Sequence, residues 1–138
     1  MITRVDFAIS PPGLIRGAMC HTLVLDDDGL SIIKVSRGWR VGFNPAGALQ
    51  SAVANATIGH LFKKAKAATE GISSDNYRQA AQGKGSVVIP RGELTDVQWS
   101  PDRLDLRLRG GGKKHRFQFE GAQAEPAHAF ATALTAAR

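Results

Sequence analysis

Cys20 is the single cysteine of the chain. No intrachain disulfide can form, and a reducing compartment fits. No run of eighteen or more apolar residues occurs, so no transmembrane helix is expected. The first residues carry Arg4 and Asp6 where a leader would carry an apolar run, so no signal peptide is expected. These absences point to the cytoplasm. His21, His60, His115 and His128 show no i, i+4 pair and no thiolate cluster, so a zinc site lacks its ligand pattern. There is no G-x-S-x-G motif, and Cys20 has no nucleophile signature around it. An enzyme is therefore not expected, and neither is a cofactor or a metal.

Two motifs fall short. Asp26-Asp27-Asp28-Gly29 looks like a calcium loop, but the glutamate required six residues after the glycine is Val35. A solvated turn is the expectation there. Lys84-Gly85-Ser86 imitates a phosphate loop, but Arg78 and Gly85 stand where glycine and a hydroxyl residue are required.

What is present suits one domain over residues 1–138. The formal net charge of +6 favours anionic partners. Val5, Phe7 and Ile9 alternate as a strand does, and Pro11-Pro12-Gly13 ends them. Residues 21–36 read as a hairpin turning at Asp28-Gly29. Trp39, Val41 and Phe43 read as a further strand. From Asn44-Pro45 the pattern changes to an alanine-rich helix over 46–70, with Gly59 as an interruption and Gly71 as its end. A short second helix is expected over 73–82, capped by Ser73 or Ser74. Residues 86–138 read as a meander: Val87 and Ile89, then Val97 and Trp99, then Leu104, Leu106 and Leu108, then Phe117 and Phe119. Ala127, Phe130, Leu134 and Ala137 then fall at helical spacing and need an apolar face to cover.

The phrases VVIPRGELTDVQW and LDLRLRGGGKKHRFQF, followed by that helix, resemble bacterial pleckstrin-homology-like domains of an uncharacterised prokaryotic subset. The carrier residues are Ile89-Pro90, Leu94 and Val97. The resemblance implies an α+β fold of two curved, nearly orthogonal antiparallel sheets closed by a C-terminal helix. It also implies a helical insertion, here about 45–83, and a binding or scaffolding role without catalysis. Headgroup-binding members place Lys and Arg in the loop joining their first two strands. If the 21–36 hairpin is that pair, its three aspartates would repel phosphate.

Two surfaces stand out. Leu49, Val53, Gly59, Leu61 and Phe62 mark a helix suited to a protein partner or to self-association, the first expectation. Arg107, Arg109, Lys113, Lys114 and Arg116 mark a basic hairpin with no acid from 106 to 119. Alternation puts the cations opposite the leucines and phenylalanines. An anionic lipid or nucleic acid is the alternative partner, with a solubility role as the plainer reading.

Overall fold

The computed structural model describes residues 2–10, 19–37, 63–83 and 85–136. Seven antiparallel strands form one sheet: β1 Thr3–Ser10, β2 Met19–Leu25, β3 Gly29–Arg37, β4 Val87–Pro90, β5 Thr95–Ser100, β6 Asp105–Gly110 and β7 Lys113–Gln118. Their spatial order is β4-β3-β2-β1-β7-β6-β5. Residues 63–70 (α1) and Tyr77–Ala80 (α2) are helical and lie between β3 and β4. Helix α3, Ala124–Ala136, ends the described chain. This is an α+β arrangement.

The four-stranded and three-stranded lobes meet at one registered pair, Ile9 with Gln118. The sheet also curls. A Cβ built on Gly110 of β6 would lie 2.5 Å from the Ile89 side chain of β4, so only glycine lets the two lobes close there. Gly29 is constrained the same way: its φ is +155° and an added Cβ would lie 2.1 Å from the Ile89 carbonyl oxygen.

The inner face carries the main core. Val5, Leu23, Leu30, Ile32, Ile89, Leu106, Leu108, Phe117 and Phe119 join Ala127, Phe130, Ala131 and Leu134 of α3 in one buried cluster. The predicted helical stripe is thus the lid of the sheet. Two meander positions depart from the alternation. Val87 is 39% exposed, because it opens an edge strand, and Leu104 stays half-buried in a turn at φ +50° before β6 begins.

The outer face of the four-stranded lobe is covered as well. Val24 and Ile33 pack with Ile72, Tyr77 and Ala81. Ile9 and Cys20 pack with Ala65 of α1. Arg4 on β1 fastens the end of α1, donating to the carbonyls of Thr69 (2.7 Å) and Ile72 while its Nε meets Asp6 at 2.8 Å. Cations at a helix C-terminus oppose the negative end of the helix dipole. The predicted strand 39–43 and the helix before residue 63 lie outside the described residues.

The aspartate turn is solvated at Asp27 and Asp28, as the sequence suggests, but not at Asp26. Asp26 is buried, and its Oδ2 accepts from the Tyr77 hydroxyl at 2.5 Å. Its Oδ1 accepts from the backbone N–H groups of Asp28 and Gly29. Arg78 pairs with Asp28 at 3.0 Å. Burial raises the Asp26 pKa, but the Tyr77 hydroxyl, the two backbone donors and Arg78 together bring it below the usual carboxylate value. The turn is therefore the dock for α2. The turn also joins β2 to β3, since β1 precedes it. Residues 11–18, between β1 and β2, lie outside the described residues.

Candidate functional site

The three-stranded lobe has no helix on its outer face among the described residues. From Leu106 onward β6 alternates: Leu106 and Leu108 are buried, while Arg107 and Arg109 are exposed. Registry then pairs Arg107 with Arg116 and Arg109 with Lys114. Four cations therefore share one face, as alternation predicts. Gly111 and Gly112, at φ +61° and +78°, make the two-residue turn between the strands.

Lys113 does not join them. It opposes Gly110 at the hairpin end, two residues before His115, and so belongs to the side of the strand that His115 and Phe117 occupy. It acts on His115, whose pKa is lowered by burial first and by the Lys113 charge second.

The expectation of an acid-free face holds only within 106–119. Asp105, one residue outside that window, is 2% exposed and lies beneath the arginines. Its carboxylate accepts from Arg107 Nε at 3.1 Å and from Arg116 Nε at 3.0 Å. Like charges on paired strands repel, and Asp105 offsets that repulsion at the Arg107–Arg116 pair. Both contacts use Nε, which leaves the terminal Nη groups to other acceptors. Arg109 and Lys114 have no carboxylate within ion-pair distance among the described residues. The signal that would have located Asp105 was available: residue 105 has the same strand parity as 107 and 109.

β5 completes the surface. Thr95 opposes Arg109 and Gln98 opposes Arg107, so β5 carries one residue more than β6 over that interval. This is a β-bulge, and Asp96 sits in it at φ +52°. Counted from Gln98, which opposes Arg107, Asp96 has outward parity, and the bulge leaves Thr95 outward as well. Val97 packs on the core, and Asp96 faces out beside Gln98. The result is a half-open hollow of about 510 Å³ lined by Asp96, Gln98, Arg107, Arg109, Lys114 and Arg116, among others. The bulge could not be read from the sequence, because TDVQW alternates acceptably without one.

The second predicted surface, Leu49, Val53, Gly59, Leu61 and Phe62, lies outside the described residues. Among the described residues no cluster of three His, Cys, Asp or Glu is arranged to hold a metal, and no helix is long and apolar enough to cross a membrane. Cys20 is wholly buried, and burial, with Asp6 and Glu120 adding to it, pushes its thiol up to about 12. His21 lies on the opposite face of β2, edge-on to Phe117 at 5.5 Å. Burial pushes its imidazole down to about 4. No family model, no curated protein and no solved structure matches this chain.

Proposed function

We propose that the chain is a non-enzymatic binding domain of the pleckstrin-homology-like type, and that it meets an anionic partner through the outer face of β5, β6 and β7. The fold part of the reading is supported by seven antiparallel strands, a closing C-terminal helix, and helices between β3 and β4. The binding part rests on one observation: buried Asp105 holds two arginines by Nε beside Arg109 and Lys114. Guanidinium groups fixed in advance lose less conformational freedom on meeting an anion. An arginine pair kept only for solubility needs no buried carboxylate to position it.

The test is retention on anionic liposomes and on a DNA duplex at low salt, for the native chain and for the double variant R109E/K114E. Retention that falls as salt rises and vanishes in the variant supports the reading, because the attraction is carried by exposed charge. No retention on either surface, or retention indifferent to the double reversal, sinks it.

A further inference from the structure

We infer that the free edge of β4 is a self-association surface, on which a second copy of this chain pairs its own β4 in antiparallel register about a two-fold axis at Val88. No residue of the cationic face takes part, so the inference stands apart from the anion-binding reading.

The register of β3 with β4 fixes which backbone groups of β4 are free. Leu30 opposes Ile89 and Ile32 opposes Val87. Just beyond the strand, the Arg91 N–H donates to the Asp28 carbonyl at 3.0 Å. In an antiparallel ladder every second residue turns both of its backbone groups to the same neighbour. Arg91, Ile89 and Val87 therefore bond toward β3, while Val88 and Pro90 point the other way. β4 ends the sheet, so no described strand lies on that side. Pro90 has no N–H to offer there. Ser86 has one, but donates it to the Gly83 carbonyl at 3.1 Å. Val88 is thus the residue of β4 that turns both a donor and an acceptor to the open edge.

A second copy meets that pattern symmetrically. About a two-fold axis at Val88, the two Val88 residues exchange both hydrogen bonds, Pro90 falls opposite Ser86, and Val87 falls opposite Ile89. The missing donor of Pro90 thus faces the committed donor of Ser86, and no N–H is left over. A foreign strand running past would find its ladder interrupted at both of those residues. The side chains suit the same register. Val88 is 55% exposed and Val87 39%, and with Ile2 they are the exposed large apolar residues of the described chain. β4 carries no charge, so the register opposes no like pair. The other edge of the sheet differs. β5 is bulged at Asp96 and exposes Thr95, Asp96, Gln98 and Ser100. Bulges and charges keep an edge from pairing, and β4 has neither. The contact is isologous and β5 offers no second one, so the assembly closes at two copies. A four-residue contact is small beside the roughly 800 Å² per partner of a stable interface, so the dimer is weak and concentration-dependent.

Sedimentation equilibrium of the full chain from about 10 μM to about 1 mM spans the range of a weak interface. The native chain should pass from monomer to dimer across it. Val88→Pro removes the outward N–H and leaves the bonds to β3 in place, and proline is accommodated on the free side of an edge strand. It should weaken the dimer by about tenfold or more, since both central hydrogen bonds use that N–H. Val88→Lys is the second variant. It keeps the backbone donor but sets two like charges across the axis, and it should also weaken the dimer. Amide hydrogen exchange locates the contact. The Val88 amide should exchange freely in dilute solution and slow several-fold where the dimer forms. The Val87 and Ile89 amides, already bonded to β3, should change little. A chain that stays monomeric throughout overturns the inference. So does a dimer that Val88→Lys leaves intact, or one whose Val88 amide exchanges alike at both ends of the range, because the copies would then meet at another surface. Growth beyond two copies would mean a head-to-tail contact and overturns the two-fold pairing.

Discussion

The two lobes of the sheet treat their outer faces in opposite ways. On the four-stranded lobe, Cys20, Val24 and Ile33 face outward and lie under Ala65, Ile72, Tyr77 and Ala81. On the three-stranded lobe, Arg107, Arg109, Lys114 and Arg116 face outward and meet no described helix. The inner faces are alike, both apolar and both under α3. The composition of a strand thus follows what covers it. β2 is buried from Cys20 through Leu25, whereas β6 from Leu106 onward is buried at alternate positions. Each lobe also places one buried aspartate against an arginine. In one, Asp26 helps to hold a helix down; in the other, Asp105 holds two arginines up toward solvent.

The largest effect should come from the element both lobes share. Phe130→Ala removes a side chain with no exposed surface and should cost about 3–5 kcal/mol. Urea denaturation followed by far-ultraviolet circular dichroism measures it. A loss below 1 kcal/mol would mean that α3 is not the lid of both halves.

The covered lobe should respond next. Tyr77→Phe removes the hydroxyl that donates to Asp26 and should cost about 1.5–3 kcal/mol, the range for a hydrogen bond to a charged acceptor. The readout specific to this lobe is Cys20, which is wholly buried and held protonated well above neutral pH. A thiol reagent should modify the native chain slowly. In Tyr77→Phe it should act several-fold faster through local release of the α1–α2 segment. Unchanged labelling would separate Cys20 from that release.

Much of this fold was legible because period is a strong signal. Leu106–Leu108 against Arg107–Arg109 assigned both faces of β6, and Ala127, Phe130 and Leu134 assigned the buried side of α3. The hairpin turn at Asp28-Gly29 was legible from turn chemistry. Features that depend on contact between distant segments were not. Tyr77 meets Asp26 across fifty-one residues of chain, and nothing local in either stretch announces the other. Asp26 therefore read as a solvated turn. Asp105 lay just outside the window in which acids were sought, and the bulge at Asp96 leaves no mark in composition. The cations of the candidate site were visible; the residues that position and bound them were not.

Acid should weaken the shared inner face before it affects the turn. His21 is pushed down to about 4 by burial, and His115 is lowered for the same reason, with Lys113 adding to it. A folded-state pKa below the unfolded one means that the unfolded chain binds more protons in the interval between them. The contribution is complete above about 6.5 and is lost as pH falls toward 4, with a slope of at most about 1.4 kcal/mol per pH unit for each histidine. Asp26 is also lowered, so its contribution is lost only as pH falls below the ordinary aspartate value of 3.8. Urea midpoints from pH 7 to pH 4 measure the first interval. His21→Phe should flatten the slope; an unchanged slope would remove His21 as its source.

The smallest effect should fall on the bare face, and it divides residues that the sequence treats as equivalent. Arg107 and Arg109 are both exposed, both on β6 and both outward, so reversing the pair to glutamate looks harmless from alternation alone. The structure separates them. Arg107 is tied to a buried carboxylate at 3.1 Å, and a glutamate in its place would leave Asp105 facing a like charge. Arg116 would remain its one partner, and a buried ionised carboxylate that loses compensation is unfavourable. Arg109 and Lys114 carry no such tie, so R109E/K114E should stay within about 0.5 kcal/mol of the native chain, as exposed substitutions do. Arg107→Glu alone should cost more than that double reversal, and Asp105→Asn should recover part of the loss by removing the second negative charge. Equal stability of Arg107→Glu and R109E/K114E would mean that Asp105 does not position the arginines. The bare face would then be a uniform array of solvated charge, and the distinction between the two lobes would reduce to the presence or absence of a covering helix.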